Sequence, residues 1–288
     1  MLCPEKIRVY NVGNGNFIVI YYKGTENGKT VTKKVIFDCG NDLHTNDFTE
    51  NIMTDDIKEN LSYIFISHMH IDHLEFLCDF ECERIIKRED IKINNSSKTF
   101  EDGFFGKLNK KIRKTTQLSD KAITNFQTEF GGTEIYYTDT IDYNESKKDF
   151  NGLELIHKLI KFDNKKNDTS MIMVITGVNG KKAILAADAS YYFWPDKVID
   201  SIKDVNYVVI PHHGQGVHCF DEKDNSNPIV VGNDCEKIIA CSVKEKCLSN
   251  CDYDNPKLHE EFIKRVFPNA EIDCTGDYTN PPYIELTL

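Results

Sequence analysis

No apolar run in this 288-residue sequence approaches the ~20 residues that a membrane-spanning helix needs. The longest are strand-like pieces such as residues 63–67 and 205–210. The opening Met1-Leu2-Cys3-Pro4-Glu5-Lys6 lacks the basic start and apolar centre of a secretory signal. The expectation is a cytoplasmic protein with no membrane partner. Cys-x-x-Cys pairs are missing among the ten cysteines, which leaves little support for a structural zinc knuckle. Most of the cysteines are expected to be buried free thiols. Neither an internal repeat nor a low-complexity linker is visible. Positive charge is also short: 35 Lys and Arg face 46 Asp and Glu, a formal net charge of −11. A surface that acidic repels polyphosphate at long range and weighs against tight non-specific nucleic-acid binding. The local exception is the run Lys107, Lys110, Lys111, Arg113 and Lys114, which reads as a solvated helix face or a contact for an anionic substrate.

What is present suffices for a core, since hydrophobic residues make up 40% of the chain. The first forty residues read as strands at 7–10, 17–22 and 31–37, with residues 23–30 as a hairpin loop. Spaced apolar residues predict a helix over 48–60, and 63–67 forms a short buried strand. Residues 84–150 are rich in Lys, Asp, Asn and Thr, and read as a helical and loop insertion beside the core. Strands resume at 153–160, 171–176, 183–187, 205–210, 238–242 and 283–286, with helices at 190–202 and 257–267. One domain over 1–288, with two sheets packed face to face and covered by helices, is the expected α/β architecture.

Chemistry concentrates in Ser67-His68-Met69-His70-Ile71-Asp72-His73, directly after the buried strand. Imidazoles two positions apart on an extended segment point the same way and can grip one metal. The Asp72-His73 pair that follows can face a second. Two metals ~3.5–4 Å apart can share a hydroxide and clamp an oxyanion. Two further features end strands: Asp188 after 183–187, and the paired His212-His213-Gly214 after 205–210.

His68-x-His70-x-Asp72-His73 resembles the signature of the metallo-β-lactamase superfamily. Asp38 resembles its first motif, an aspartate that supports the metal loop, and Asp188 its metal-bridging aspartate. Within the superfamily the chain is similar to the hydrolase domain of bacterial competence (DNA-uptake) proteins. The likeness is carried by Val12-Gly13-Asn14-Gly15, by Asn167-Asp168-Thr169-Ser170, by Pro211-His212-His213-Gly214, and by the Asn255-to-His259 spacing. It runs from residue 7 to about 265, with 84–150 outside it. Asn11 and Asn16 stand where that group has acidic residues, and the first site's third histidine has no plain counterpart, His157 being the substitute at hand.

The resemblance implies a four-layer αββα sandwich of the metallo-β-lactamase type, and two divalent ions, Zn2+ or Mn2+. The ligands are expected to be His68, His70, Asp72, His73, Asp188 and His259, with Asp38 and Ser170 in support. Asp72, His212 and His213 are the residues expected to act in catalysis. It also implies a metal-activated hydroxide attacking a phosphodiester, either nucleic acid or a small nucleotide. An ester, lactone or amide hydrolase of the same fold, or a non-catalytic metal-binding module, are the alternatives.

Overall fold

The computed structural model describes residues 1–41, 55–68, 70–88, 104–112, 114–137, 170–191, 194–214, 230–241, 256–278 and 281–288. The strand expected at 153–160 and the first part, 48–54, of the helix expected over 48–60 lie outside them. Strands β1 (Cys3–Tyr10), β2 (Phe17–Glu26), β3 (Lys29–Cys39), β4 (Leu61–Ile66), β5 (Ile85–Lys87), β6 (Thr116–Gln117) and β13 (Tyr283–Thr287) form one seven-stranded sheet, in the order β13-β1-β2-β3-β4-β5-β6. The second sheet has six strands: β7 (Thr133–Tyr136), β8 (Ile172–Thr176), β9 (Lys182–Leu185), β10 (Tyr207–Val209), β11 (Lys237–Ala240) and β12 (Glu271–Cys274). Its order is β12-β11-β10-β9-β8-β7. Pairing is antiparallel from β13 through β3 and parallel from β3 to β6. In the second sheet β9 to β12 are parallel, and β7 and β8 antiparallel.

Alternate residues of each strand face opposite sides, and the apolar ones divide among three packed layers. Between the sheets, Ile7, Ile20, Val35 and Phe65 meet Met173, Leu185, Val209 and Ile239. On the outer face of the second sheet, Ile184, Val208 and Ile238 pack against Val198 of helix α4 (Asp196–Ser201) and Phe262, Ile263 and Val266 of α5 (Pro256–Val266). On the outer face of the first, Val19, Ile36 and Ile64 cover Ile57 of α1 (Asp55–Lys58) and Leu108 and Ile112 of α2 (Phe104–Ile112). Helix, sheet, sheet, helix is the four-layer αββα sandwich that the resemblance implies.

Two local readings are corrected. The expected hairpin loop over 23–30 is strand on both sides, with Glu26 opposite Lys29 across a two-residue turn at Asn27-Gly28. Both turn residues have positive φ, 50° and 76°, which Asn and Gly adopt at least cost. Within 84–150, the described residues supply strands as well as helices: β5 and β6 extend the first sheet and β7 edges the second. Helix α3 (Asp120–Glu129) of the same stretch places Phe126 in the inter-sheet core, followed by Phe130, both fully buried. Ser119 caps that helix by accepting a hydrogen bond from the Ala122 amide at 3.3 Å.

The candidate site residues gather at the carboxyl ends of parallel strands. Asp38 closes β3, Ser67 and His68 follow β4, Asp188 follows β9, and His212 and His213 follow β10. Open α/β sheets gather their sites at this edge, and here both sheets contribute.

Candidate metal centre

The loop after β4 is held on one side by backbone contacts. The Asn16 amide donates to the Asp72 carbonyl at 3.0 Å, and the Gly40 amide donates to the Asn16 carbonyl at 2.8 Å. A 3-10 turn over Ile71–His73 then carries Asp72 and His73, with the His73 amide donating to the His70 carbonyl at 3.1 Å. Asn11, on the strand end before the turn, donates through Nδ2 to the Tyr278 carbonyl at 3.0 Å. The glycine- and asparagine-rich opening segment therefore serves as a brace for the histidine loop.

Asp38 is fully buried, with φ of 58°, and fixes that loop from the other side. Its Oδ1 accepts from the Ser67 amide at 2.7 Å. Its Oδ2 accepts from the Ser67 hydroxyl at 2.7 Å and lies 2.8 Å from His73 Nδ1. Ser170, expected in support, is buried beside Met171, whose amide donates to the Ser67 carbonyl at 3.2 Å. This bond ties the start of β8 to the end of β4 across the two sheets.

Six side chains assemble into two groups, His68 with His70 and Asp188, and Asp72 with His73 and His213. In each, the ligand-type atoms lie within 4.8 Å of one another. Asp188 stands between them. Its Oδ2 is 3.4 Å from His68 Nε2, and its Oδ1 is 3.0 Å from His73 Nε2 and 3.8 Å from His213 Nε2. Asp72 Oδ2 lies 3.2 Å from His213 Nε2 and 3.9 Å from His73 Nε2. The His68 and His73 rings are 4.1 Å apart at their centroids, so the groups share a wall.

His68 Nε2, His73 Nε2 and both Asp188 oxygens are buried and close together, yet none is aligned in a hydrogen bond. Buried carboxylates and imidazoles left in this state are costly. Buried nitrogens and oxygens converging on shared points in this way are what a divalent cation requires. The donor set of imidazole nitrogens and carboxylate oxygens suits Zn2+ and Mn2+.

Electrostatics concentrate opposite charges here. Burial alone would raise the Asp188 carboxyl, but His73, His68, His212 and His213 outweigh it and hold the group well below the usual carboxylate range. Burial likewise opposes a charge on His73, but Asp188 and Asp38 prevail and push the imidazole well above its ordinary value. His70, which has no carboxylate so close, is pushed down to about 4 by burial and then by His68. His212 is lowered, chiefly by burial. Asp72 stays below the usual range, because its hydrogen bond to His213 and the nearby His73 overcome the effect of burial.

Backbone strain gathers at the same place. Asp38, Ala187, His212 and His213 have φ of 58°, 47°, 49° and 57°. Such left-handed residues cost on the order of 1–3 kcal/mol each, and they cluster at working sites. The turn Pro211–Gly214 aims the two histidines differently. His213 is buried and joins Asp72. His212 keeps 30% of its side chain exposed, with Nε2 3.9 Å from Asp188 Oδ2.

The structure thus brings together His68, His70, Asp72, His73, Asp188, His212 and His213, with Asp38 beneath them. His259 lies on α5, and its side chain is outside the described residues, as is His157. The third member of the Asp72–His73 group is His213, one of the two histidines expected to contact either the metal or a substrate oxygen. Two contributors were not singled out from sequence, Ser67 and Gly40. The signals were a hydroxyl residue directly before the first histidine and a glycine directly after the strand that carries Asp38.

No protein-family model and no curated protein matches this chain. Among solved structures, the fold is similar to a candidate metallo-β-lactamase from Thermotoga maritima, with a TM-score of 0.37 and 13% identity over 72% of this chain and 97% of that one. No described helix is long and apolar enough to cross a membrane.

Proposed function

We propose that this chain is a metal-dependent hydrolase acting on phosphodiesters. The observation that carries the reading is the Asp188 carboxylate, which turns one oxygen to His68 and the other to His73. A structural metal site needs no bridging carboxylate between two ligand groups. Two divalent cations bound there would bring the pKa of water toward ~7 and stabilise developing negative charge. The chain's own residues do the rest. His68, His70 and Asp188 form one cradle, and Asp72, His73 and His213 the other. His212, partly exposed at the rim, would donate a hydrogen bond to a substrate oxygen. No serine or cysteine nucleophile is needed.

The phosphodiester preference rests on the likeness of the motif order to the competence-type hydrolase domain. The net charge of −11 favours a small nucleotide or a locally bound strand over long polyanions. The seven described cysteines are all free, which supports a reducing, cytoplasmic setting.

The test is hydrolysis of bis-p-nitrophenyl phosphate with added Zn2+ or Mn2+, alongside thioester, lactone and β-lactam substrates. Turnover of the phosphodiester is expected, and His70→Ala and Asp72→Ala should each abolish it while leaving the circular dichroism spectrum intact. Turnover confined to the other panel reassigns the substrate class. Metal uptake without turnover on either panel, or wild-type rates in His70→Ala, overturns the reading.

A further inference from the structure

We infer that Ser67 is a positioning residue, and that through it the single carboxylate of Asp38 fixes the proton positions on two histidines, one in each ligand group. The inference rests on the metal-centre reading above and adds to it a residue that none of the motifs includes.

The case is one of counting protons. The Ser67 hydroxyl has one hydrogen and two neighbours, Asp38 Oδ2 at 2.7 Å and His68 Nδ1 at 3.1 Å. A carboxylate oxygen only accepts, so the short contact to Asp38 requires the hydroxyl hydrogen. The serine oxygen then faces His68 with lone pairs alone, and His68 Nδ1 must carry the proton. If the hydroxyl donated to His68 instead, two oxygens would stand 2.7 Å apart with no hydrogen between them. His73 Nδ1, 2.8 Å from the same Oδ2, must be protonated for the same reason. With Nδ1 committed to these partners, Nε2 is the nitrogen that each imidazole has left for a cation. These are the two nitrogens that are buried without hydrogen bonds and lie closest to the Asp188 oxygens.

The two histidines belong to different groups, His68 with His70 and Asp188, His73 with Asp72 and His213. One buried carboxylate therefore prepares both, His73 directly and His68 through Ser67. The arrangement is rigid, because Asp38 Oδ1 is also held by the Ser67 amide at 2.7 Å, and Asp38, Ser67, His68 and His73 are all fully buried.

The two links separate by substitution. Ser67→Ala removes only the path to His68. Asp38→Asn keeps the left-handed backbone at little cost, but replaces the accepting Oδ2 by a donating amide. The amide hydrogens then point at His73 Nδ1 and at the Ser67 oxygen, whose own hydrogen turns to His68 Nδ1. Both imidazoles should lose the proton on Nδ1 and keep one on Nε2.

Long-range proton–nitrogen correlation spectra of the zinc-free protein read these tautomers directly. In the wild type both His68 and His73 are expected protonated on Nδ1. In Ser67→Ala only His68 should lose its fixed tautomer, and in Asp38→Asn both should switch. In a zinc titration, Ser67→Ala should weaken one of two binding events about 10- to 100-fold and leave the other unchanged. A wild-type His68 protonated on Nε2, an Asp38→Asn that switches His73 alone, or a Ser67→Ala that weakens both events equally or neither would overturn the inference. A wild type that binds no zinc overturns the hydrolase reading, while the tautomer spectra still decide the role of Ser67.

Discussion

Gly40 stands where the backbone carbonyl of Asp72 passes so near that a methyl group on it would lie 1.6 Å from that oxygen and 2.4 Å from the His73 amide nitrogen. No side-chain adjustment relieves a clash with backbone. Gly40→Ala must push the histidine loop outward or break the Gly40–Asn16–Asp72 bracing. Overpacking of this kind costs about 1–3 kcal/mol, and the same displacement spreads the two ligand groups. Gly40→Ala is therefore expected to melt lower and to bind zinc weakly, whereas Gly28→Ala, with open space around it but φ of 76°, should lower the melting point while leaving zinc binding intact. Thermal melts and metal content measured together check this, and a Gly40→Ala protein with wild-type values of both refutes the bracing role. The same loop shows what sequence can carry at this scale. His68, His70, Asp72 and His73 are contiguous, so their clustering is visible without a fold. Asp38 and Asp188 are visible because each ends an apolar strand. That His213 joins the Asp72–His73 group depends on the left-handed turn at residues 211–214, and no local pattern specifies which way such a turn aims its side chains.

Among the elements, β2 and β3 were legible as apolar runs because residues 17–22 of one and 34–39 of the other, away from the hairpin turn, are buried on both faces. The short strands β5 and β6 were not, having three and two residues and no alternation to detect. Helix α3 was hidden by its polar surroundings, since its fixing point is an aromatic cluster from other elements. Phe126 meets Tyr22, Tyr63 and Phe65 with ring centroids 5.0–6.3 Å apart. The carboxyl end of α3 is held electrostatically as well: Glu129 pairs with Lys33 of β3 at 2.9 Å and with Arg84, before β5, at 2.7 Å. Burial would raise the Glu129 carboxyl, but the bonds from Lys33 and Arg84 dominate and lower it. A carboxyl depressed in the folded state contributes stability above its unfolded value of ~4.3 and loses it as the pH falls through the folded value. Both bonds are partly solvent-screened, so Glu129→Gln should cost no more than about 1 kcal/mol at pH 7. The gap from wild type should close in acid. Urea unfolding of both proteins at pH 7 and in the acid range measures this, and a gap that widens on acidification contradicts the assignment.

Taken as a whole, the molecule splits its ligand set between its two sheets. His68, His70, Asp72 and His73 follow β4 of the first, and Asp188 and His213 follow β9 and β10 of the second. The inter-sheet core holds the sheets together through apolar packing alone along most of its depth, with Tyr22 and Thr133 sharing one buried hydroxyl contact at 2.5 Å. At the ligand edge the same sandwich meets buried nitrogens and oxygens that make no hydrogen bonds, so this edge is where packing contributes least and an ion contributes most. An ion bound there joins the two sheets and binds only the folded state, since unfolding separates residues 68–73 from 188 and 213. At a free zinc concentration 100 times its dissociation constant, one such ion adds about 2.7 kcal/mol. For a chain of this size that corresponds to a rise in Tm of roughly 5–10 °C. Scanning calorimetry of the protein after chelation, and again after zinc is restored, should show that rise. Asp188→Ala should remove most of it, because both groups lose an oxygen together. His70→Ala should remove only the part that depends on its own group. Identical melts with and without zinc would mean that the convergent side chains hold no ion, whatever their geometry suggests.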